Sequence, residues 1–182
     1  MKKWTKIVLL TLAALIILPV AGLLIAGALP DSDHMVTSVV IHQKPEAIWP
    51  WLYQPEKVKK WVSWLIEVRE DGPGEPAVGR SGVWVMVDPN NSNTRVEFTG
   101  TVEAVELHRR IAIRLNAPDG FHGSTVYILT PLPDGSTRLD SDSRYVFESA
   151  FARFMSPLIY WQAKKKMVGD FEQLRAHLES GA

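Results

Sequence analysis

The stretch that most constrains this chain is its last one, residues 149–179. Read at helical spacing, Phe151, Phe154, Met155, Leu158, Trp161, Val168, Phe171, Leu174 and Leu178 fall in one stripe. Arg153, Gln162, Lys164, Lys166, Glu172, Gln173, Arg175 and Glu179 occupy the opposite side, the pattern of a helix laid on a core. Ser156-Pro157 interrupts the run. Serine caps helices and proline is tolerated at the first helical position, so the sequence predicts a short helix, a kink and then the main helix. Nothing downstream could cover the apolar stripe, so the preceding chain must supply a surface for it.

At the other end, residues 7–30 carry no charge, with Lys2, Lys3 and Lys6 before them and Asp31 and Asp33 after. About 20 apolar residues cross a bilayer as a helix, and Pro19 is tolerable there. The lysines favour the cytoplasmic side, which sends the rest of the chain outward. Ala26-Gly27-Ala28 has the small-x-small form of a signal-peptide cleavage site, so secretion after cleavage near Ala28 is the rival reading. The apolar run exceeds the ~7–15 residues of a signal core, which favours an uncleaved anchor. The expected organisation is an anchor over 1–30 with residues 7–29 in the membrane, a linker over 31–34 and a domain over 35–180. The expected localisation is single-pass, with the N-terminus cytoplasmic and the domain periplasmic or extracellular.

The chain as a whole has 20 basic and 20 acidic side chains; without the three leading lysines the remainder is 17 against 20, a net −3. Basic residues are scattered apart from Lys164-Lys165-Lys166, which reads as a solvated helix face, so no nucleic-acid partner is expected. The absence of cysteine excludes disulfides, thiolate metal sites and a cysteine nucleophile.

Between the two ends the chain reads as strands. Residues 35–43 form the first. Lys44-Pro45-Glu46 opens one short helix that Pro50 limits, and Gln54-Pro55-Glu56 opens another ending at Trp61. Strands follow over 64–69, 82–88, 94–106, 109–115, 125–132 and 137–147, with turns at 71–76, 89–93, 117–120 and 133–135. In the fourth, Val96, Phe98, Gly100, Val102 and Ala104 alternate with charged residues and threonines. In the seventh, Leu139, Ser141, Ser143, Tyr145 and Phe147 alternate with Arg138, Asp140, Asp142 and Arg144. Such alternation belongs to an antiparallel sheet with one wet face.

The order is therefore strand, two short helices, six strands, long helix, with Lys44-Pro45-Glu46-Ala47-Ile48-Trp49 after the first strand, Trp61 before the second, and residues 167–174 in the last helix. This resembles the SRPBCC superfamily, the helix-grip fold shared by START lipid-transfer domains, polyketide cyclase/dehydrase-like proteins and the birch-pollen-allergen group. The resemblance implies an α+β fold over about residues 35–180: a curved seven-stranded antiparallel sheet gripping the long helix, preceded here by a transmembrane helix. Members of the superfamily bind or convert many unrelated apolar ligands and share no catalytic motif.

His34, His42, His108, His122 and His177 stand in no metal-ligand spacing, and no phosphate loop or nucleophile motif occurs, so neither a metal nor a cofactor is expected. His42 is the histidine expected near the interior. Trp4 suits a membrane interface, while Trp49, Trp51, Trp61, Trp64, Trp84 and Trp161 suit a core or the wall of a ligand cavity. The candidate cavity residues are Trp61, Trp84, Met86, Phe98, Tyr127, Ser141, Ser143, Tyr145, Phe154, Leu158 and Trp161. The small serines would leave volume and offer hydrogen bonds.

The function so read is a membrane-tethered binding or transfer module for an apolar small molecule such as a lipid, isoprenoid or polyketide. The alternatives are a cyclase- or dehydratase-like enzyme using the same cavity and an interaction protein with a filled core. An enzyme needs an acid or base in the cavity, and the sheet's charged residues are expected to point outward. Phe121 and Phe151 are expected to dip toward lipid at a mouth that faces the membrane.

Overall fold

The computed structural model describes residues 2–27, 33–70, 74–89 and 93–180. The cleavage site at Ala28, the first half of the linker, the turn residues 71–73 and Asn90 to Ser92 of the next turn lie outside the described residues. Helix α1 spans Lys2–Gly27. It is long and apolar enough to cross a membrane, and its membrane-length segment Lys3–Gly27 is not buried against the rest of the chain.

The domain begins with β1 (His34–Ile41), followed by α2 (Pro45–Ile48), a 3₁₀ turn Trp49–Leu52, and α3 (Pro55–Trp61). Both α2 and α3 start with proline at their first position, where its missing N–H costs nothing. Then come β2 (Leu65–Glu70), β3 (Ser81–Asp88), β4 (Thr94–Glu106), β5 (Arg110–Ala117), β6 (Phe121–Pro131), β7 (Thr137–Phe147) and α4 (Ala150–Glu179). The seven strands form one antiparallel sheet in the order β1-β7-β6-β5-β4-β3-β2, a helix-grip α+β fold.

Four local expectations need correction. Strand β6 starts at Phe121 rather than Thr125, because Phe121 pairs with both Ala117 and Phe147. A register shift between Val102 and Ala104 changes the faces of β4 beyond it, so Val105 rather than Ala104 packs on the core. His42 is exposed and bonds Glu179 at 2.9 Å instead of sitting inside. Finally, α4 runs unbroken through Pro157. Proline leaves the Arg153 carbonyl without its helical donor, and the Ser156 hydroxyl donates to that oxygen at 2.8 Å instead. The cap at Ser149, whose side chain accepts from the Ala152 N–H, thus starts one continuous helix.

The phase of α4 also differs along its length. Phe171, Leu174 and Leu178 are buried as the stripe predicted, against Val39, Ile41, Leu139 and the short helices. In the first half the predicted stripe faces outward: Phe151 is 74% exposed, Trp161 63% and Leu158 39%. Here both faces of the helix are apolar, so periodicity alone could not choose between them. The core therefore fills the end of the sheet near the β6–β7 hairpin, and the first half of α4 hangs over the other end.

This division predicts opposite results for two similar truncations. Phe171→Ala should cost about 3–5 kcal/mol in chemical denaturation followed by tryptophan fluorescence, whereas Phe151→Ala should change stability by less than ~0.5 kcal/mol. A large loss at Phe151 would return it to the core and overturn the observed phase.

Candidate ligand cavity

Between the first half of α4 and the concave face of the sheet lies a cavity of about 520 Å³. Strands β3 to β7 build its floor from Trp84 and Met86, Val96 and Phe98, Ile113 and Leu115, Thr125 and Tyr127, and Tyr145 and Phe147. One side is closed by Trp61, Val62 and Trp64 at the end of α3, the other by Met35 of β1. The roof is α4, through Ala152, Ile159, Gln162, Ala163, Lys166, Met167 and Asp170. The lining reaches Asp88, Pro118 and Ser149, which belong to the loops at the sheet end where β1 begins. A separate pocket beside Tyr53 and Trp84 holds only about 50 Å³, room for a water or two rather than for a ligand.

Of the residues picked from the sequence, Trp61, Trp84, Met86, Phe98, Tyr127 and Tyr145 come together on this wall. Ser141 and Ser143 point inward and are buried, but they are not part of the lining. Their hydroxyls bond each other at 3.3 Å, and Ser143 bonds Thr125 at 3.0 Å, so they back the wall with Thr125 in front. Phe154, Leu158 and Trp161 lie off the lining, a consequence of the helix phase. Phe121 does not dip outward. Its ring packs 5.4 Å from Phe98, 5.3 Å from Tyr145 and 5.5 Å from Phe147, centre to centre, as part of the cavity wall.

The roof is held at its distance by two attachments. Near the start of α4, the Tyr160 hydroxyl donates to the Tyr145 carbonyl, and its ring lies 6.1 Å from Phe147. Burial, with smaller contributions from Asp33 and Tyr145, pushes the Tyr160 phenol up to about 12, so it remains a donor through the physiological range. Further along, Asp170 accepts the backbone N–H of Ser63 at 3.1 Å and its hydroxyl at 2.5 Å through one oxygen, and pairs with Lys166 through the other. This clamp fixes the turn before Trp64, which is held at φ 72°, a left-handed conformation that is costly for a bulky side chain. The Trp64 carbonyl is also pinned, accepting from the Val87 N–H at 2.9 Å.

Lys166 was read as part of a solvated basic run, and the structure corrects that. Lys164 and Lys165 are exposed, but Lys166 is half-buried beside the buried Asp170 on the cavity wall. Desolvation lowers the Lys166 ammonium from its usual range, and Asp170 offsets part of that effect. The sequence did hold a signal: Lys166 and Asp170 are four apart, and Asp170 is in phase with the buried Phe171 and Leu174. The charged residues of β7 face outward as expected, with Asp140 bonded by Arg138 at 2.8 Å. Among the described residues no group of three His, Asp or Glu side chains could hold a metal ion.

A curved antiparallel sheet roofed by one long helix over an apolar cavity defines the helix-grip class of protein, a fold compatible with ligand binding. Residues 32–179 match the family described as polyketide cyclase / dehydrase and lipid transport. The chain belongs to that family. No curated protein matches it. Among solved structures, a conserved protein from Geobacillus kaustophilus superposes with a TM-score of 0.66 at 14% identity, covering 81% of this chain and 95% of that one. Protein NE0264 from Nitrosomonas europaea gives 0.64 at 17% identity, covering 84% and 98%. DynU16, a protein of the dynemicin biosynthetic locus, gives 0.59 at 19% identity and matches 82% of this chain over 48% of its own length. At these identities the likeness is one of fold.

Two glycines test how tightly the wall is built. A Cβ on Gly123 would lie 2.4 Å from Tyr145 Cδ1 and 3.2 Å from the Arg144 carbonyl oxygen, so Gly123→Ala should cost about 1–3 kcal/mol as it displaces the ring. Gly169, mid-helix in α4, has nothing within 4 Å, and Gly169→Ala should gain about 0.5–1 kcal/mol. Thermal and chemical unfolding of the two variants check both signs.

Proposed function

We propose that this protein is a membrane-tethered module that binds or transfers an apolar small molecule, such as a lipid, isoprenoid or polyketide, between the sheet and α4. The cavity carries the reading. Its volume of about 520 Å³ falls within the ~300–1,000 Å³ usual for ligand sites. The cavity is open to solvent on one side, so its apolar wall is exposed unless an apolar molecule covers it. A filled-core interaction protein would have no reason to keep such a cavity. The family description, which joins polyketide chemistry with lipid transport, supports a ligand of this kind. On this reading the anchor covers residues 1–30, the linker 31–34 and the ligand domain 35–180.

The tether and the cavity are adjacent. The last turns of α1 pack on α4, where a Cβ on Gly27 would lie 3.6 Å from Pro157. If α1 spans the bilayer with its lysines inside, the first half of α4 rests at the outer headgroup layer. Its outward Phe151, Leu158 and Trp161 then take the lipid-facing role expected of Phe121. Lys165, whose ammonium lies 5.8 Å from the centre of the Trp161 ring, would sit among lipid phosphates. A ligand would enter beside α4 without crossing water. Spin labels at Leu158 and at Asp134, on the opposite hairpin, check this in reconstituted bilayers. The Leu158 label should lie at headgroup depth and the Asp134 label should stay in water; the reverse order sinks the membrane-facing mouth.

A cyclase- or dehydratase-like enzyme is the second reading, and one observation favours it: Lys166, Asp170 and Tyr127 put titratable groups on the wall. Native mass spectrometry of the full chain extracted from its own membrane tests the first reading. The expected result is a co-purifying lipophile, lost in Ala163→Trp, which fills the cavity from its roof. A wild-type chain that never carries one points to a different role for the cavity, and chemical conversion of an added ligand selects the enzyme.

A further inference from the structure

A wholly apolar pocket would hold its ligand in any orientation, but this one carries a charged pair in its wall besides the hydroxyls around Thr125. Lys166 projects from α4 into the lining, whereas its neighbours Lys164 and Lys165 reach solvent. Its ammonium donates to Asp170 and lies 5.3 Å from the centre of the Trp64 ring. An ammonium has three N–H groups. Asp170 is the only acceptor it has among the described residues, so N–H capacity remains for a group in the cavity. Tyr127, also on the wall, has a buried ring packed against Trp61 and Phe171. Among the described residues its hydroxyl has no hydrogen-bond partner either. Burial first, then the nearby Tyr145 and Asp170, pushes that phenol far up, so it is a permanent donor.

The charge balance decides what these donors can receive. Lys166 is already neutralised by Asp170. A carboxylate or phosphate on the ligand would bring a further buried negative charge against one shared ammonium, and its desolvation would go uncompensated. A ketone, ester or amide oxygen needs only a hydrogen bond to replace its water. Asp170 clamps Ser63 through its other oxygen, so Lys166 balances that buried carboxylate while still lining the cavity.

We infer that Lys166 and Tyr127 form a seat for an uncharged carbonyl-type acceptor at the buried end of an otherwise apolar ligand, and that the seat rejects fatty-acid-like anions. This deepens the proposed binding function and rests on it. The test uses the full chain in lipid nanodiscs, with empty nanodiscs as reference, and displacement of the neutral dye Nile red at pH 8 by three probes of equal length: decan-2-one, decane and decanoate.

Decan-2-one should compete at least ~10-fold better than either other probe. In Lys166→Met/Asp170→Asn, which keeps an acceptor for Ser63 and leaves the pair uncharged, the ketone advantage over decane should fall below ~3-fold. Should that variant fail to fold, Tyr127→Phe decides: a reduced ketone advantage supports the seat, and an unaltered one overturns it. Equal competition by all three probes in the wild type overturns the seat but leaves an apolar binding module. Strongest competition by decanoate overturns the uncharged class. Displacement by none of them overturns the binding function together with the seat.

Discussion

One geometric constraint governs this molecule: a single helix cannot cover the concave face of a seven-stranded sheet. Seven strands at ~4.8 Å spacing make a surface about 30 Å across, and a helix with its side chains is ~10–12 Å wide. The short helices α2 and α3 cover part of the remainder at one end, where Ile48, Trp49, Leu52 and Trp61 join Phe171 and Leu174 in the core. At the other end nothing comparable is available, and α4 stands off on its own attachments. The cavity is thus a product of topology, and side chains only tune it. A solid core at one end lets the other remain hollow without loss of the fold.

The same division explains what could be read from the sequence. Strands with one wet face announce themselves, and the bounds of β4 and β7 were legible to the residue because polar and inward positions alternate over most of their length between clear turns. The last two turns of α4 were equally clear, since Phe171, Leu174 and Leu178 face a core and their neighbours face water. The first half was not. There one face borders an apolar cavity and the other carries Phe151, Leu158 and Trp161. A helix apolar on two sides has no phase that periodicity can detect. The bulge in β4 and the earlier start of β6 depend on pairing partners distant in sequence. Lys166 hid in a basic run because its burial is set by Asp170 and Ser63, contacts made only once the chain has folded.

Electrostatics divides the molecule in a parallel way. On the wet face, Arg69 and Arg95 interleave with Glu67 and Glu97, and the Arg69 hydrogen bond holds the Glu97 carboxyl below its usual range. These pairs are open to solvent, so they add little to stability and serve mainly to keep that face soluble. The Lys166–Asp170 pair is different in kind. Inside the lining it is desolvated, and an apolar pair of equal volume would serve stability as well or better. Such a pair is retained for what it specifies.

What it specifies follows from its neighbours. Asp170 binds the N–H and hydroxyl of Ser63, and the next residue, Trp64, adopts a left-handed backbone that a free chain would avoid at a cost of roughly 1–3 kcal/mol. The strained turn presents the Trp64 ring to the cavity and to the Lys166 ammonium. A burial cost and a backbone cost therefore converge on one corner of a wall that is otherwise built of ordinary apolar contacts. A leucine in place of Lys166 alone would leave the buried Asp170 carboxylate without its counter-charge, so the two residues act as a unit. On the proposed binding function, this corner would be the part of the wall that discriminates between ligands, while the apolar remainder would supply affinity.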